Sequence, residues 1–298
     1  MNGNYALAYV GANLTITKRG LTLTAQTNTK TYDGIISAAA VPTVSGLQFS
    51  DTVSGLTETY DNRNAGTGKT LSVAAGYTVN DGNSGNNYNV TTVPDTTGII
   101  NKAPLTITAV ANTKVYDATT SAIATPTTSG LQSSDTVTGL SETYDNRHVG
   151  TGKTLSVAGY TVNDGNGGNN YTVTTVPNVT GVITAAGTAV TLTVTPNSQQ
   201  YSDKVDLSAL TASSPGIGGS VSFYINHGTG TQQLPGPVSV AANGTDNLTG
   251  VALLETVAGS MSPGAHTVKA VFTPSDLLNY SSSSNTAALN LVSQATLA

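Results

Sequence analysis

Residues 21–73 and 105–157 align without a gap at an offset of 84 residues, and 38 of the 53 positions are identical. The match resumes at Gly76 and Gly159 after one residue is dropped. This tandem duplication limits the folds open to the chain, because whatever the first copy builds, the second must build too. The period is longer than the 20 to 50 residues of solenoid repeats, so each copy is expected to close its own core. The copies are bounded as residues 21–103 and 104–186. "ITKRG" leads in, "INKAP" joins them and "ITAAG" leads out. Linkers of two to four residues leave little freedom, which predicts a semi-rigid rod.

Inside each copy the apolar period is two. "LTLTA", "LTITA", "TLSVA" and "YTVND" alternate, and clusters of Gly, Asn, Asp and Pro recur every 8 to 12 residues. That pattern belongs to a sandwich of antiparallel sheets. About seven short strands are expected per copy, and no segment holds a helical period. The fold class read from the sequence is all-β: tandem immunoglobulin-like β-sandwich domains arranged as an extended rod. Residues 187–298 leave the repeat but keep its grammar, with "AVTLTVTPN", "GSVSFYINHG" and "GAHTVKAVFTP" among the strands of a further immunoglobulin-like domain. Residues 1–20 resemble the end of a repeat with nothing before it. They read either as terminal strands of a truncated preceding repeat or as a strand-donating segment, with Tyr5, Leu7, Tyr9, Leu14 and Ile16 as strand-exchange candidates.

Composition narrows the function. The chain has no cysteine, so disulfides, thiolate zinc sites and a cysteine nucleophile are ruled out. Charged residues make up 9% against about 25% in an average globular protein, and Thr, Ser, Asn and Gly must keep it soluble, as in extracellular β proteins. A net charge of −5 with scattered Lys and Arg argues against nucleic acid. No apolar run is long enough for a membrane span, and "MNGNYALAYVG" has neither the basic start nor the apolar stretch of a signal peptide. "GTGKT" occurs in both copies but is no phosphate loop. Arg63 and Arg147 stand where the first glycine belongs, and no helix follows to hold an anion.

At "KTYDG" (Lys30 to Gly34), at its copy "KVYDA" (Lys114 to Ala118), and at "NAGTGKTLSV" and "GNNYNV", the chain resembles the YDG repeat family of bacterial surface and filamentous-haemagglutinin-like proteins. The resemblance covers most of residues 21–186 and implies a non-catalytic, extracellular, multi-domain stalk or adhesin. It carries over no catalytic residue. Ala118 in place of glycine suggests that this turn does not demand a positive φ in every copy. From Ala189 the chain resembles a bacterial Ig-like repeat domain of secreted proteins.

Four chemistries are weighed against structural readings. "VNDGNSGNNY" and "VNDGNGGNNY" could offer Asp81 and Asp164 to calcium, with Asp61 and Asp145 of "TYDNR" as further ligands, yet the same residues are those a tight hairpin turn requires. Calcium is the only cofactor in view. Tyr32, Tyr60, Tyr77, Tyr88, Tyr116, Tyr144, Tyr160 and Tyr171 read as large core or sheet-edge residues, or else as stacking platforms for sugars. Lys30 or Lys114 is a candidate for a cross-link to an asparagine, assisted by Glu58 or Glu142. A hydrolase lacks a nucleophile–base pair: His148, His227 and His266 lie in different contexts, so no enzyme is expected.

The expected function is a structural spacer of an adhesin at the bacterial cell surface. The alternatives are a filament subunit assembled by β-strand complementation and a carbohydrate-binding module. The expected partners are neighbouring Ig-like domains of a longer protein or identical chains in a filament, with no nucleic acid and no membrane span; a host or matrix ligand is left unnamed.

Overall fold

A computed structural model of the 298-residue chain describes residues 11–200, 204–227, 230–234, 236–241, 248–257 and 263–292. Tyr5, Leu7 and Tyr9 lie outside them. The described chain is all-β, and among these residues no helix is long and apolar enough to cross a membrane.

Repeat 1 contributes β1 (Arg19–Thr24), β2 (Thr29–Thr31), β3 (Thr43–Ser45), β4 (Thr52–Ser54), β5 (Glu58–Tyr60), β6 (Gly66–Val73), β7 (Thr78–Asn80), β8 (Tyr88–Val93) and β9 (Asp95–Asn101). They separate into two halves. One half is the sheet β3-β1-β8 with the pair β4-β7; the other is the sheet β2-β9-β6-β5. The central strand β1 runs antiparallel to β3 and parallel to β8, in a register that sets Arg19 beside Tyr88. Strand β2 is parallel to β9, and β6 antiparallel to it. The GTGKT segment is thus strand, as its β-branched sequel requires.

Repeat 2 follows with β10 (Ala103–Thr108), β11 (Thr113–Val115), β12 (Thr127–Ser129), β13 (Thr136–Tyr144), β14 (Gly150–Asn163), β15 (Tyr171–Val176) and β16 (Asn178–Thr184). Its sheets are β12-β10-β15 and β11-β16-β14-β13. Strand β14 is continuous where repeat 1 has both β6 and β7. Repeat 1 carries one extra residue there, Ala74-Ala75-Gly76 against Ala158-Gly159, and the strand breaks at it.

The last region holds β17 (Thr188–Thr195), β18 (Ser198–Gln200), β19 (Lys204–Ser213), β20 (Gly219–His227), β21 (Gly230–Gln233), β22 (Val238–Val240), β23 (Leu248–Val257), β24 (Gly264–Pro274) and β25 (Ser283–Val292). The sheet β17-β19-β23 and the sheet β18-β25-β24-β20-β21, with β22 also on β20, enclose one core of Val205, Leu207, Val221, Phe223, Val268 and Phe272 among others. Alternating inward residues from both sheets build it, as the period of two demands.

The cores of the repeats depart from expectation. Instead of closing within one copy, an apolar cluster joins Tyr32, Tyr60, Leu71, Ile100 and Ala103 of repeat 1 to Leu105 and Tyr171 of repeat 2, with Leu131, Val137 and Val162 packed against them. A second cluster joins Tyr116, Tyr144, Leu155, Ile183 and Ala186 of repeat 2 to Tyr280. Each half is a thin sheet with one apolar face, so it must be covered. The half β3-β1-β8 gathers Leu21, Leu23, Val79 and Tyr88 within repeat 1, whereas the half β2-β9-β6-β5 and its counterpart in repeat 2 are covered from the following stretch of chain. The chain accordingly divides into two compact units, one of Met1–Ile107, Thr128–Gly139 and Tyr160–Thr174, the other of Thr108–Thr127, Leu140–Gly159 and Thr175–Ala298. The division runs through repeat 2.

Candidate functional site

The residues that the repeats hold in common converge on these shared cores, and we term each meeting a joint. In the first, the Tyr32 ring meets the Tyr171 ring edge to face, centroids 5.4 Å apart at 78°. Both hydroxyls donate to the same oxygen, Oδ2 of Asp135, at 2.8 Å. Asp135 is almost fully buried, and the Arg63 guanidinium lies 3.6 Å from its other oxygen while also donating to the Asp164 carbonyl at 2.9 Å. Burial, reinforced for each ring by the Asp135 carboxylate, pushes Tyr32 and Tyr171 up to about 12.

Asn170, fully buried, ties the joint to the backbone. Its carbonyl accepts from Ala103 N at 2.9 Å, and its side-chain Oδ1 accepts from Ala65 N at 2.9 Å and from Asn166 Nδ2 at 2.9 Å. Asp164 holds the loop that presents Asn170: its oxygens accept the N–H groups of Asn166, Gly168 and Asn170 at 2.7, 2.8 and 3.0 Å. Burial opposes ionisation of this carboxyl, but the three amide donors outweigh it and hold the group below the usual carboxylate range.

The second joint repeats the arrangement with a different sequence. Tyr116 meets Tyr280 edge to face at 5.4 Å and 72°. Asn279 takes the place of Asn170, its carbonyl accepting from Ala186 N at 2.9 Å and its Oδ1 from Val149 N at 3.0 Å. Asp276 takes the place of Asp164 and accepts from the Leu278 and Asn279 N–H groups at 3.1 and 3.2 Å. Asn279 Nδ2 lies 3.2 Å from His148 Nδ1, where Asn170 Nδ2 reaches Asn64 in the first joint.

The KTYDG motif gains a physical meaning here. Tyr32 is the ring inserted in the joint. Lys30 is turned back on its own loop, donating to Asp33, Ile35 O and Ser37 O at 2.7, 2.7 and 3.0 Å over the Tyr60 face. Lys114 does the same with Asp117, Thr119 and Ser121 over Tyr144. The acceptors at each ammonium are a carboxylate and two carbonyls, joined at Lys114 by the Thr119 hydroxyl, not the asparagine that a cross-link would need. Glu58 and Glu142 each spend one buried oxygen on a backbone N–H, from Gln26 and Val110, and burial raises the Glu58 carboxyl. The fifth motif position corrects one expectation. Both copies adopt positive φ, +81° at Gly34 and +63° at Ala118. What requires glycine in the first is space: a Cβ on Gly34 would sit 2.5 Å from that of Ser133.

The calcium candidates are scattered among other partners. Asp61 pairs with Lys69 at 3.0 Å and Asp145 with Lys153 at 3.7 Å, and each of these lysines also contacts the following asparagine, Asn62 or Asn146. Asp81 caps its own loop as Asp164 does, and no group of three or more His, Asp or Glu is placed to hold a metal among the described residues. Of the tyrosines, Tyr32, Tyr60, Tyr88, Tyr116, Tyr144 and Tyr171 are buried, Tyr77 is half-buried and Tyr160 is exposed. Leu14 and Ile16 are exposed. Sequence reasoning passed over Asp135, Asn170, Asp276, Asn279 and Tyr280. The signal for the last four was the Asn-Tyr dipeptide that ends "NDGNGGNNY" and recurs in "DLLNY".

The YDG domain family matches residues 16–97 and 101–180, more than half of the chain, and the chain belongs to that family. No curated protein matches it. Among solved structures it is similar to Spo0M, a sporulation control protein from Bacillus subtilis, at 6% identity and a TM-score of 0.24, over 35% of this chain and 49% of that one, about half its length. It is also similar to Drosophila N-cadherin EC1-4, at 12% identity and a TM-score of 0.21, over 91% of this chain and 74% of that one.

Proposed function

We propose that the chain is a non-catalytic spacer segment of a bacterial cell-surface or secreted protein, in which immunoglobulin-like sandwiches joined in series extend the polypeptide as a rod. The observation that supports this reading is the joint built twice with the same backbone partners. Two hydrogen bonds through one asparagine and a pair of tyrosine rings fix each connection, and a connection with buried hydrogen bonds at fixed positions resists bending more than a bare linker does. The side chains with chemical capacity are spent on this task. Asp164 serves three amides, Asp135 two hydroxyls, and Lys30 and Lys114 their own loops.

The experiment is a length series. Chains carrying zero, one or two additional copies of residues 21–103 are measured by small-angle scattering. A spacer lengthens by a constant increment per copy, and a maximum dimension that stays flat across the series contradicts the proposal.

A further inference from the structure

Repeat 1 carries the receiving half of a joint with nothing seated in it among the described residues. Tyr88, the counterpart of Tyr171, donates to Asp51 Oδ2 at 2.6 Å and accepts from Gln48 N at 2.9 Å, as Tyr171 does with Asp135 and Gln132. Asn87, the counterpart of Asn170, accepts from Arg19 N on its carbonyl at 2.9 Å and from Asn83 Nδ2 on its Oδ1 at 2.8 Å. Asp81 caps the loop with the same three amide bonds. What is missing is the tyrosine hydroxyl that would reach Asp51, the arginine beside it and the backbone N–H that would reach Asn87. In repeat 2 the equivalent Asp135 and Asn170 are buried; here Asp51 is half-buried and Asn87 exposed.

A second observation points to the same surface. Aligning "TITKRG" with "IINKAP" puts Ile16 at the position of Ile100, and "ITAAG" puts Ile183 there too. Ile100 and Ile183 are 2% and 1% exposed within their sheets, whereas Ile16 is 88% exposed. Residues 11–17 thus have the sequence of strand β9 without the sheet that β9 belongs to.

We infer that the surface formed by Asp51, Asn87, Tyr88 and the extended segment around Ile16 is a receptor for a further YDG repeat placed ahead of repeat 1. That repeat would supply the counterparts of β2, β5 and β6, with the tyrosine of a Lys-x-Tyr-Asp turn donating to Asp51, the arginine of a Tyr-Asp-Asn-Arg turn beside it, and the amide that follows donating to Asn87. A second copy of this chain fits less well, because both of its donor sheets are already seated, one on Tyr171 and one on Tyr280. The inference rests on joint geometry alone and stands whether or not the segment acts as a spacer.

The absence of cysteine gives a direct test. Ile16→Cys is introduced into the full chain and into a chain extended by a copy of residues 21–94 joined ahead of Gly11, and labelling by a thiol reagent is timed in each. In the extended chain labelling is expected to slow by ~100-fold or more, as for a side chain reached only by local unfolding, and Asn87→Ala is expected to return most of that rate. Equal rates in the two chains, or slowing that Asn87→Ala and Asp51→Ala both leave intact, would overturn the assignment. Protection of the unextended chain that grows with its own concentration would also overturn it, since the site would then belong to a second copy.

Discussion

The two joints share a backbone pattern and differ in what lies at the centre. Around Tyr32 and Tyr171 a buried carboxylate, Asp135, takes both hydroxyls with Arg63 beside it. Around Tyr116 and Tyr280 the same edge-to-face pair is kept, and Asn279 takes two backbone N–H groups as Asn170 does, but the receiving half is "DLLNY" on an unrelated sandwich. The part preserved across both is the asparagine clasp and the ring pair. The carboxylate–arginine centre is found at the one joint among the described residues whose two sides both come from YDG sequence. A foreign domain can therefore be received by a YDG sheet if it presents an asparagine, a tyrosine and a loop-capping aspartate at the right edge.

Mutations that separate these contributions make the comparison sharper. The largest effect is expected from the rings. Tyr171→Ala and Tyr280→Ala each remove a buried aromatic and should cost ~3–5 kcal/mol in the unit that holds them. Urea unfolding followed by tyrosine fluorescence, which a chain without tryptophan permits, checks both. A Tyr280→Ala variant that unfolds like the parent would show that the second joint is not held in the same way.

Asp135→Ala comes next. It strands two buried hydroxyls and leaves Arg63 without its carboxylate, a loss of about 3 kcal/mol or somewhat more. Ionisation of the first joint sharpens the same point. Free tyrosine titrates near pH 10, and Tyr32 and Tyr171 are held up to about 12. The folded pKa is the higher, so the contribution of these protonated rings is whole below about pH 10 and is lost as pH rises towards 12. Tyr60, Tyr88, Tyr144 and Tyr280 are raised as well, so absorbance titration at 295 nm should show several late-ionising tyrosines, and in Asp135→Asn the midpoints of Tyr32 and Tyr171 should fall. Unchanged midpoints would remove Asp135 from the centre of the joint.

The smallest effect concerns the fifth position of the motif. Ala118 holds a positive φ that glycine adopts freely, so Ala118→Gly is expected to stabilise its joint by ~1 kcal/mol. Gly34→Ala is expected to go the other way and by more, because its Cβ would collide with Ser133. Equal and opposite responses at the two sites would mean that backbone conformation alone, and not the approach of the next repeat, selects glycine.

Much of the fold could be read from residues. Alternation located β1, β6, β10 and β14, the turn clusters located their ends, and the duplication announced that two copies would fold alike. What could not be read was which sheet covers which. Period two marks a buried face but carries no address, so Leu21 and Leu105 look equivalent although the first packs with Val79 and Tyr88 of its own copy and the second with Tyr32 and Ile100 of the preceding one. The site was half legible for a related reason. Tyr32 and Asp164 stood out in their motifs, but Asp135 sits in an ordinary "SSDT" turn, and only the meeting of two distant loops gives it two hydroxyls to accept. The aspartates that looked like metal ligands are where turn chemistry and ligand chemistry coincide: an oxygen-rich loop is also what a carboxylate needs to gather its own amides.

Native-state hydrogen exchange in Asn170→Ala asks most directly whether the folding unit straddles the repeat boundary. Tyr32 N and Ile99 N are bonded to Asn101 O and Asn28 O in repeat 1, and Tyr116 N and Val182 N to Thr184 O and Asn112 O in repeat 2. The expected result is that Tyr32, Ile99 and Ala103 lose protection together while Tyr116 and Val182 keep theirs. Loss at Tyr116 and Val182, with Tyr32 and Ile99 unaffected, would show that each repeat folds by itself and would contradict the shared core.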